Sequence, residues 1–426
     1  MALMLLALFI FGITYLLIIT EWINKMIAAM MGGFAIILTG ILTQDIAFRA
    51  IDWNVIFFLI GMMLVISVMR QTGVFMYLAI KIAKIAKGRP LPIMVLMYLL
   101  TTFISAFMGS VTTIMILVPI VLLVASELKI TPVPFITTMI IASNAGGAAT
   151  MIGDPPNILI GSATDYNFLD FIYNLTPPVL LITITSVGLI WLLYRGKMRV
   201  SNENRARLMG YNDKNLIKNK TLLKISLVVL GLMLTAFMLQ GVIKIETATI
   251  AMTAGLFLLI VSDRHKVEQT LAHDIDWATI FFFMGLFMIV ESLVETGFIN
   301  HIASGVMSLT HGEPKTTSMA ILWLSGIFSA VIDNVPFVAA MIPVLERLGV
   351  LINNPDAMHP IWWSMALGAC LGGNGTMIGA SANIVAIGIA NRNGFRISFK
   401  EYTKIGALFA LNAIVVSTLY ILIRYY

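Results

Sequence analysis

The stretch SNAGGAATMIGDPPNILIGSA, residues 143–163, lies inside an apolar run long enough to cross a membrane. It nevertheless contains a carboxylate, two adjacent prolines, two asparagines and four glycines. Proline lacks a backbone donor and clashes with the preceding turn, so no helix runs unbroken through Asp154, Pro155, Pro156 and Asn157. In hydrocarbon, unwound backbone is tolerated only where protein buries it or where it lines a watery cavity. The stretch therefore predicts a broken helix beside a solute pathway.

The composition of the chain is that of a membrane protein. Of its 426 residues, 59% are hydrophobic and only 11% are charged, against about a quarter in soluble domains. Apolar segments of roughly 18 residues recur throughout, which predicts an all-α integral membrane protein and not a β-barrel. The net charge of +6 lies mostly in loops and indicates no nucleic-acid partner. A single cysteine excludes an intramolecular disulfide, and no Walker A motif is present. Neither an enzyme nor a cofactor is predicted.

Ten membrane spans are expected, two of them broken, together with two re-entrant hairpins. The first span is interpreted as a retained helix and not as a signal peptide. The predicted spans are 3–20, 26–42, 53–69, 134–161 (broken), 176–194, 225–242, 247–262, 277–292, 362–390 (broken) and 405–423. The predicted hairpins are 93–125 and 317–345.

The chain contains an internal duplication. The tripeptide IDW at 51–53 recurs at 275–277, and the offset of 224 residues continues without a gap to the pair Pro119 and Pro343. After a two-residue slip, the TMIG of the opening stretch recurs at 376–379. The predicted organisation is a first repeat at 1–194, a basic linker at 195–224 and a second repeat at 225–426.

Each repeat has five spans and a hairpin, and because five is odd the second repeat must be inverted in the bilayer. The distribution of the 27 Lys and Arg residues supports this independently. With the linker in the cytoplasm, both termini lie outside, and most basic residues fall in cytoplasmic segments. Two inverted repeats with broken helices are typical of secondary transporters. The cytoplasmic segments are 21–25, 70–91, 126–134, 195–224, 263–276 and 392–404.

Polar side chains at predicted membrane depth fall on the two hairpin tips and on the two breaks, where the helices are expected to unwind across 144–157 and 372–383. Neutral oxygens and amides of this kind replace water around hard cations such as sodium. The candidate ion or substrate ligands are Ser110, Thr112, Thr113, Asn144, Asp154, Asn157, Asp333, Asn334, Asn374, Thr376, Ser381 and Asn383. The residues expected to break or hinge the helices are Gly109, Gly146, Gly147, Gly153, Pro155, Pro156, Pro336, Gly372, Gly373, Gly375 and Gly379.

The two intramembrane aspartates occupy different elements. Asp154 lies on the first broken helix, where the repeat has Ala380, whereas Asp333 lies on the second hairpin, where the repeat has Gly109. If each hairpin tip docks on the broken helix of its own half, two ion sites form with one aspartate each. A carboxylate at the bilayer centre costs roughly 2.5–3.5 kcal/mol. Competition between a proton and a cation for it is a basis for antiport. The predicted sodium ligands are Asp154, Asn157, Asp333 and Asn334.

Simpler interpretations exist for several of these residues. The two prolines can kink a helix without breaking it, and Asp333 can cap the second helix of its hairpin. Ser110 and its neighbouring threonines can bond their own backbone. Arg70, at the end of its span, is most simply a topology anchor.

The sequence resembles the ion-transporter superfamily that contains the arsenite efflux permeases, the NhaD-type sodium/proton antiporters and the melanosomal P protein. The match looks closest to the P-protein branch. The resemblance implies two inverted repeats, each with a scaffold part and a transport part, and often a homodimer. The relatives that carry citrate have Ser-Asn-Thr at the hairpin tips, and many nearer relatives have Asp-Asn at the first. The motifs are residues 143–163, SAVIDNVPFVAAMIPV at 329–344 and GACLGGNGTMIGASAN at 368–383.

The residues and the resemblance together predict a proton- or sodium-coupled secondary transporter in the cytoplasmic membrane. Na⁺/H⁺ antiport and arsenite-type efflux are the two leading hypotheses. Sodium-coupled dicarboxylate or citrate transport is the alternative. It ranks below them because the two aspartates would repel such a substrate. A passive ion channel is the alternative from another class.

Overall fold

A computed structural model describes residues 1–20, 22–211 and 215–426, with the backbone alone at 264–266. Within these ranges the chain is all-helical, and nine of its helices are long and apolar enough to cross a membrane. The predicted fold class, an all-α integral membrane protein, is confirmed.

The first half contains the elements that the sequence predicts. Its main elements are Ala2–Thr20, Lys25–Leu38, Trp53–Gln71, the first hairpin (Pro90–Met108 and Ser110–Leu128), the first broken helix (Val133–Gly147 and Pro155–Ala163) and Phe168–Tyr194. Its shorter helices are Gln44–Arg49 and Val74–Ile85.

The second half repeats this order. It has Lys220–Met238, Thr247–Val261, Trp277–Glu295, the second hairpin (Pro314–Val331 and Asn334–Ile352), the second broken helix (Pro355–Gly372 and Ser381–Arg392) and Phe399–Tyr425. Its shorter helices are Gln240–Ile243, Arg264–His273 and Phe298–Thr310, and a 3₁₀ turn, Gly373–Gly375, lies in the second break.

Several helices extend beyond their predicted bounds. The last helix of the first half begins at Phe168, not at 176, because Asn167 and Asp170 form a capping box ahead of it. Two prolines near its start are tolerated inside the helix. The last helix of the second half begins at Phe399 behind an equivalent box of Ser398 and Glu401. Capping side chains thus decide where both helices begin.

The halves are related by an exchange of partners. Trp53–Gln71 packs most extensively on Thr247–Val261, and Trp277–Glu295 packs on Lys25–Leu38, its counterpart. A Cβ atom at Gly61 would lie 2.5 Å from the carbonyl carbon of Ala251, and one at Gly285 would lie 2.4 Å from that of Ala29. Only glycine permits both crossings. These exchanged contacts are what a two-fold relation between the repeats requires.

The basic linker is packed against the first half. The helix Asn202–Met209 lies within it, Arg205 Nε donates to the Lys87 carbonyl at 3.1 Å, and Asn204 Nδ2 donates to the Leu128 carbonyl at 3.2 Å. The following helix begins at Lys220, inside the predicted linker, because the Asn219 side chain caps it. Residues 212–214 of the linker lie outside the described residues.

Candidate functional site

Asp154 begins the second segment of the first broken helix and is almost completely buried. The helix stops at Gly147 and resumes only at Pro155, so the prolines do more than kink it. They occupy the first turn of the new segment, where a missing amide leaves no bond unmade. The first hairpin docks here: the Ser110 hydroxyl donates to Asp154 Oδ1 at 2.6 Å and not to its own backbone. Gly109 alone makes the hairpin turn, at a φ of +80° that disfavours side chains.

The second carboxylate oxygen of Asp154 is reached from the other half. Asn334, the first residue after the tip of the second hairpin, donates from Nδ2 to Asp154 Oδ2 at 2.9 Å. Both partners of this acid are neutral, and no Lys or Arg forms an ion pair with it within the described residues. Asp154 is therefore a buried carboxylate shared between the two repeats without a basic partner.

Asp333 forms the corresponding contact in the second half with the two roles exchanged. The acid lies on the hairpin tip, and the hydroxyl of Ser381, on the second broken helix, donates to Asp333 Oδ2 at 2.5 Å. Asp333 also caps the helix that follows, since its Oδ1 accepts from the Val335 amide at 3.1 Å. Capping and the side-chain contact are thus made by different oxygens of one carboxylate.

Lys25 is a further site residue; the sequence analysis places it in the segment 21–25 and does not include it among the candidate ligands. Its Nζ donates to Ser381 Oγ at 2.5 Å and lies 3.4 Å from Asp333 Oδ2. The ammonium also lies 5.3 Å from the centre of the Phe282 ring. The start of the short helix Lys25–Leu38 therefore reaches the tip of the second hairpin and does not lie in a loop.

Three asparagines meet where the two broken helices cross. Asn144 Nδ2 donates to Asn374 Oδ1 and to Asn383 Oδ1, both at 2.9 Å, so one amide bridges the repeats. All three side chains are buried. The Oδ1 atom of Asn144 has no hydrogen-bond partner among the described residues.

Other predicted ligands stabilise the unwound backbone. Asn157 Nδ2 donates to the carbonyls of Thr150 and Ala148 at 2.8 and 3.2 Å, and its counterpart Asn383 donates to those of Thr376 and Gly373 at 2.9 and 2.8 Å. Carbonyls released by a helix break need such partners in a dry interior. The Thr150 and Thr376 hydroxyls each donate at 2.5 Å to a hairpin carbonyl, Ala106 and Ala330 respectively. The same bonds therefore hold both breaks.

The predicted hinge glycines lie at close backbone contacts. A Cβ at Gly153 would lie 2.6 Å from the Gly147 carbonyl oxygen, and one at Gly379 would lie 2.6 Å from that of Gly373. Similar clashes of 2.1 and 2.3 Å would arise at Gly146 and Gly372 against hairpin carbonyls. At Gly375 the added Cβ would lie 2.8 Å from the side chain of Ala330. These glycines allow each hairpin to pack directly on its broken helix.

The remaining predicted residues lie around the hairpin tips. Thr112 lines a cavity beside the first tip, while Thr113 is buried and its hydroxyl has no partner among the described residues. The carbonyl of Pro336 accepts the Tyr15 hydroxyl at 2.7 Å, which ties the second tip to the first helix.

A vestibule of about 120 Å³ leads from the first hairpin tip to one face of the protein. A central pocket of about 40 Å³, lined by Lys25, Asp154 and Asn334, lies next to it, and Ser110 and Thr279 border both spaces. The backbone amide of Lys218, in the linker, donates to the Thr72 carbonyl at the end of a helix that lines the vestibule. The end of the vestibule that Arg70 lines therefore lies on the side of the protein against which the linker packs.

An ion pair joins the two repeats at the mouth of the vestibule. Arg70, predicted as a simple topology anchor, pairs with Asp274, and the Ser67 hydroxyl donates to the same carboxylate. Asp276 lies beside them and caps Trp277–Glu295 through the Thr279 amide at 3.0 Å. Among the described residues that line the vestibule there are two carboxylates and one guanidinium, so their formal charges sum to one negative charge.

Sequence reasoning missed Lys25, the ion pair of Arg70 with Asp274, and Cys370. The Cys370 thiol donates to Asn157 Oδ1 at 3.7 Å, which is a contact between repeats. These contacts leave no periodic signal in the sequence. For Lys25 one signal existed: a lone lysine opens an apolar helix of 14 residues, too short to span the bilayer.

Known protein families and relatives match most of the chain. The citrate transporter (CitMHS) family model matches residues 15–368. An uncharacterized transporter of Mycobacterium tuberculosis is 38% identical over 98% of this chain and 97% of its own length. The P protein of Mus musculus is 30% identical over 96% of this chain, which spans 59% of that protein.

Among solved structures, the YdaH transporter of Alcanivorax borkumensis matches with a TM-score of 0.55 at 16% identity, covering 91% of this chain and 87% of that one. That likeness shows a shared fold alone. The predicted membership of the superfamily that includes the P protein is confirmed. The chain belongs to the citrate transporter family, whose members are multi-pass membrane transporters and not enzymes.

Proposed function

We propose that the protein is a secondary active transporter that exchanges sodium for protons, with Asp154 binding the two cations in turn. The observation that carries this proposal is the environment of Asp154: a buried carboxylate between the repeats whose hydrogen-bond donors, Ser110 and Asn334, are both neutral. A carboxylate without a basic partner attracts a proton or a metal cation, and one site cannot hold both.

The chemistry around Asp154 suits a small hard cation. The central pocket offers the Ser110 hydroxyl, the Asp154 carboxylate and the Asn334 amide group, and oxygen donors of this kind replace the water around such ions. The one carboxylate in excess among the described vestibule residues would attract cations rather than anions. The predicted sodium ligand Asn157 lies close by, but its amide nitrogen is engaged by the backbone of the break.

Citrate, coupled to a cation, is the second candidate because the matching family model is named for it. A citrate in the central pocket would approach Asp154, and the nearby ammonium of Lys25 is already paired with Asp333. Two unit charges about 4 Å apart repel by roughly 4 kcal/mol near a protein surface. This repulsion favours a cation as the substrate.

The proposal includes the predicted orientation in a cytoplasmic membrane, with both termini outside and the linker in the cytoplasm. The vestibule would then open to the cytoplasm, since it faces the linker. A homodimer formed through the scaffold, as the resemblance implies, remains a prediction.

The test is transport by the full-length chain in proteoliposomes containing a pH-sensitive dye. A sodium gradient should drive uphill proton movement in the wild type, and Asp154→Asn should abolish it. Asp45→Asn, which removes an exposed acid paired with Arg49, should leave transport unchanged. Lithium, arsenite and citrate are tested in the same preparation.

Three outcomes contradict the proposal. Movement only down a gradient would indicate a passive channel. Uphill flux of citrate or arsenite without sodium-driven proton movement would indicate a different substrate. Unchanged sodium–proton exchange in Asp154→Asn would show that the cation binds elsewhere.

A further inference from the structure

The second half of the site already contains a cation of its own. Lys25 Nζ contacts two oxygens, Ser381 Oγ at 2.5 Å and Asp333 Oδ2 at 3.4 Å, and lies over the ring of Phe282. A hydroxyl and a carboxylate, one from the broken helix and one from the hairpin tip, also surround the proposed cation position in the first half. The ammonium therefore lies where the repeat would offer oxygens to a second metal ion.

Among the described residues, the half-site of Asp154 has no equivalent of Lys25. Ala29 and Ala251 occupy matching positions at the two helix crossings, and this alignment places Thr247 opposite Lys25 in the repeat. Thr247 begins its helix as Lys25 does, and it borders a cavity of about 20 Å³ with Phe58, the counterpart of Phe282. A neutral threonine thus occupies the position in one half that a lysine occupies in the other.

The charges of the two half-sites differ accordingly. Within the described part of the chain Asp154 has neutral partners, whereas Asp333 pairs with the side-chain ammonium of Lys25, which is partly buried at 29% exposure. A mobile cation would neutralise Asp154 alone. Asp333 is neutralised in every state in which Lys25 remains beside it.

We propose that Lys25 is a built-in replacement for a second transported cation, so that the protein binds one exchangeable sodium, at Asp154, in each cycle. This inference rests on the proposed function, because it assigns the number of cations to the same transport site. It predicts that removal of the ammonium opens a second sodium site at Asp333 and Ser381.

The test counts bound radioactive sodium on the purified full-length chain by scintillation proximity. The wild type should bind one sodium ion per chain and Lys25→Ala two, and its sodium dependence of transport should change from hyperbolic to sigmoidal. Lys25→Arg keeps a cation and should bind one. Lys25→Ala with Asp333→Asn removes both charges and should also bind one. Thr247→Ala, the matched position in the other half, should behave as the wild type.

Two results overturn the inference. One is an unchanged number of bound sodium ions in a Lys25→Ala protein that elutes as a single species from size exclusion. Lys25→Gln replaces it if the alanine variant aggregates. The other is loss of sodium binding in both Lys25→Ala and the double variant, which would make Lys25 itself essential. If the wild type binds no sodium, the proposed function fails, and the inference is judged separately by whether Lys25→Ala gains a sodium ion.

Discussion

In the first half, the acid Asp154 lies on the broken helix and the hydroxyl of Ser110 on the hairpin tip; in the second, Asp333 lies on the tip and Ser381 on the broken helix. Both pairs are joined by a short hydrogen bond. Among the described residues, a basic side chain, Lys25, accompanies the second pair and none accompanies the first. Duplication thus preserved the geometry of the site, while the charge diverged between halves that are otherwise held by the same backbone contacts.

The largest expected effect separates the two acids. Asp154→Asn should lower sodium-coupled proton exchange by at least about 100-fold, because a cation about 4 Å from a carboxylate gains roughly 4 kcal/mol and each 1.4 kcal/mol is tenfold. Asp333→Asn should instead raise the sodium KM by roughly tenfold, since it leaves the ammonium of Lys25 unpaired beside the central pocket. Initial rates over a sodium series measure both.

A control tests whether the Asp333 effect is electrostatic. Adding Lys25→Gln to Asp333→Asn removes the unpaired charge and should return the sodium KM towards that of the wild type. The comparison of the two half-sites is wrong if Asp154→Asn and Asp333→Asn impair transport equally and Lys25→Gln restores neither.

The next effect concerns the hydrogen bonds of Asp154. Asn334→Ala removes the donor from the opposite half and Ser110→Ala the donor from the same half. A hydrogen bond to a charged group contributes about 1.5–3 kcal/mol, so each change should weaken sodium binding roughly 10- to 100-fold. Isothermal titration with sodium on purified protein measures the affinity.

Thr316→Ala is the control, since it removes an exposed hydroxyl that bonds Glu313 far from the site. Asn334→Asp sharpens the comparison, because it adds a second carboxylate opposite Asp154. If Asn334→Ala binds sodium as tightly as the wild type, the second half contributes nothing to the Asp154 site.

The sequence predicts the local parts of this fold and not the contacts between its halves. The break at Asp154 follows from two prolines, and the repeat follows from a constant offset, because both are written in consecutive residues. The breaks themselves are shorter than the predicted 144–157 and 372–383, since helices persist to Gly147 and Gly372.

What local patterns cannot specify is which half a side chain will contact. Asn334 was predicted for the site of its own half, yet its side chain bonds Asp154 of the other. Lys25 is a charged residue of the kind expected in a loop, and only the short length of its apolar helix indicated a position inside the protein. Such contacts depend on the packing of whole repeats, so a sequence without aligned homologues gives them no periodic mark.

A smaller effect tests whether the two breaks are mechanically alike. Gly153→Ala and Gly379→Ala should each destabilise the protein by about 1–3 kcal/mol, because the new methyl would lie 2.6 Å from a backbone carbonyl oxygen. Thermal unfolding in detergent measures the two changes, which should be similar in size. Gly188→Ala is the control, since a Cβ there meets nothing within 4 Å. A large effect at one break only would show that the halves differ in packing as well as in charge.

The smallest effect concerns the capping boxes that start the last helix of each half. Asn167→Ala and Ser398→Ala should each destabilise their helix by about 1 kcal/mol at neutral pH. The Ser398 hydroxyl and backbone amide hold the pKa of the Glu401 carboxyl below its usual range. A lowered pKa in the folded state means that the ionised Glu401 carboxylate stabilises the helix start at neutral pH. This stabilisation is lost as the pH falls through that pKa.

Thermal unfolding at neutral and at acidic pH therefore separates the two partners of the second box. The destabilisation by Ser398→Ala should be smaller at acidic pH than at neutral pH. In Glu401→Gln, whose side chain does not titrate, the stability of this capping box should not depend on pH. If Ser398→Ala destabilises equally at both pH values, the hydroxyl acts only by accepting the hydrogen bond that the Glu401 amide donates at 3.3 Å, and the carboxylate contributes nothing to the start of this helix. The two boxes would then differ as the two half-sites do, with similar backbone geometry and dissimilar use of charge.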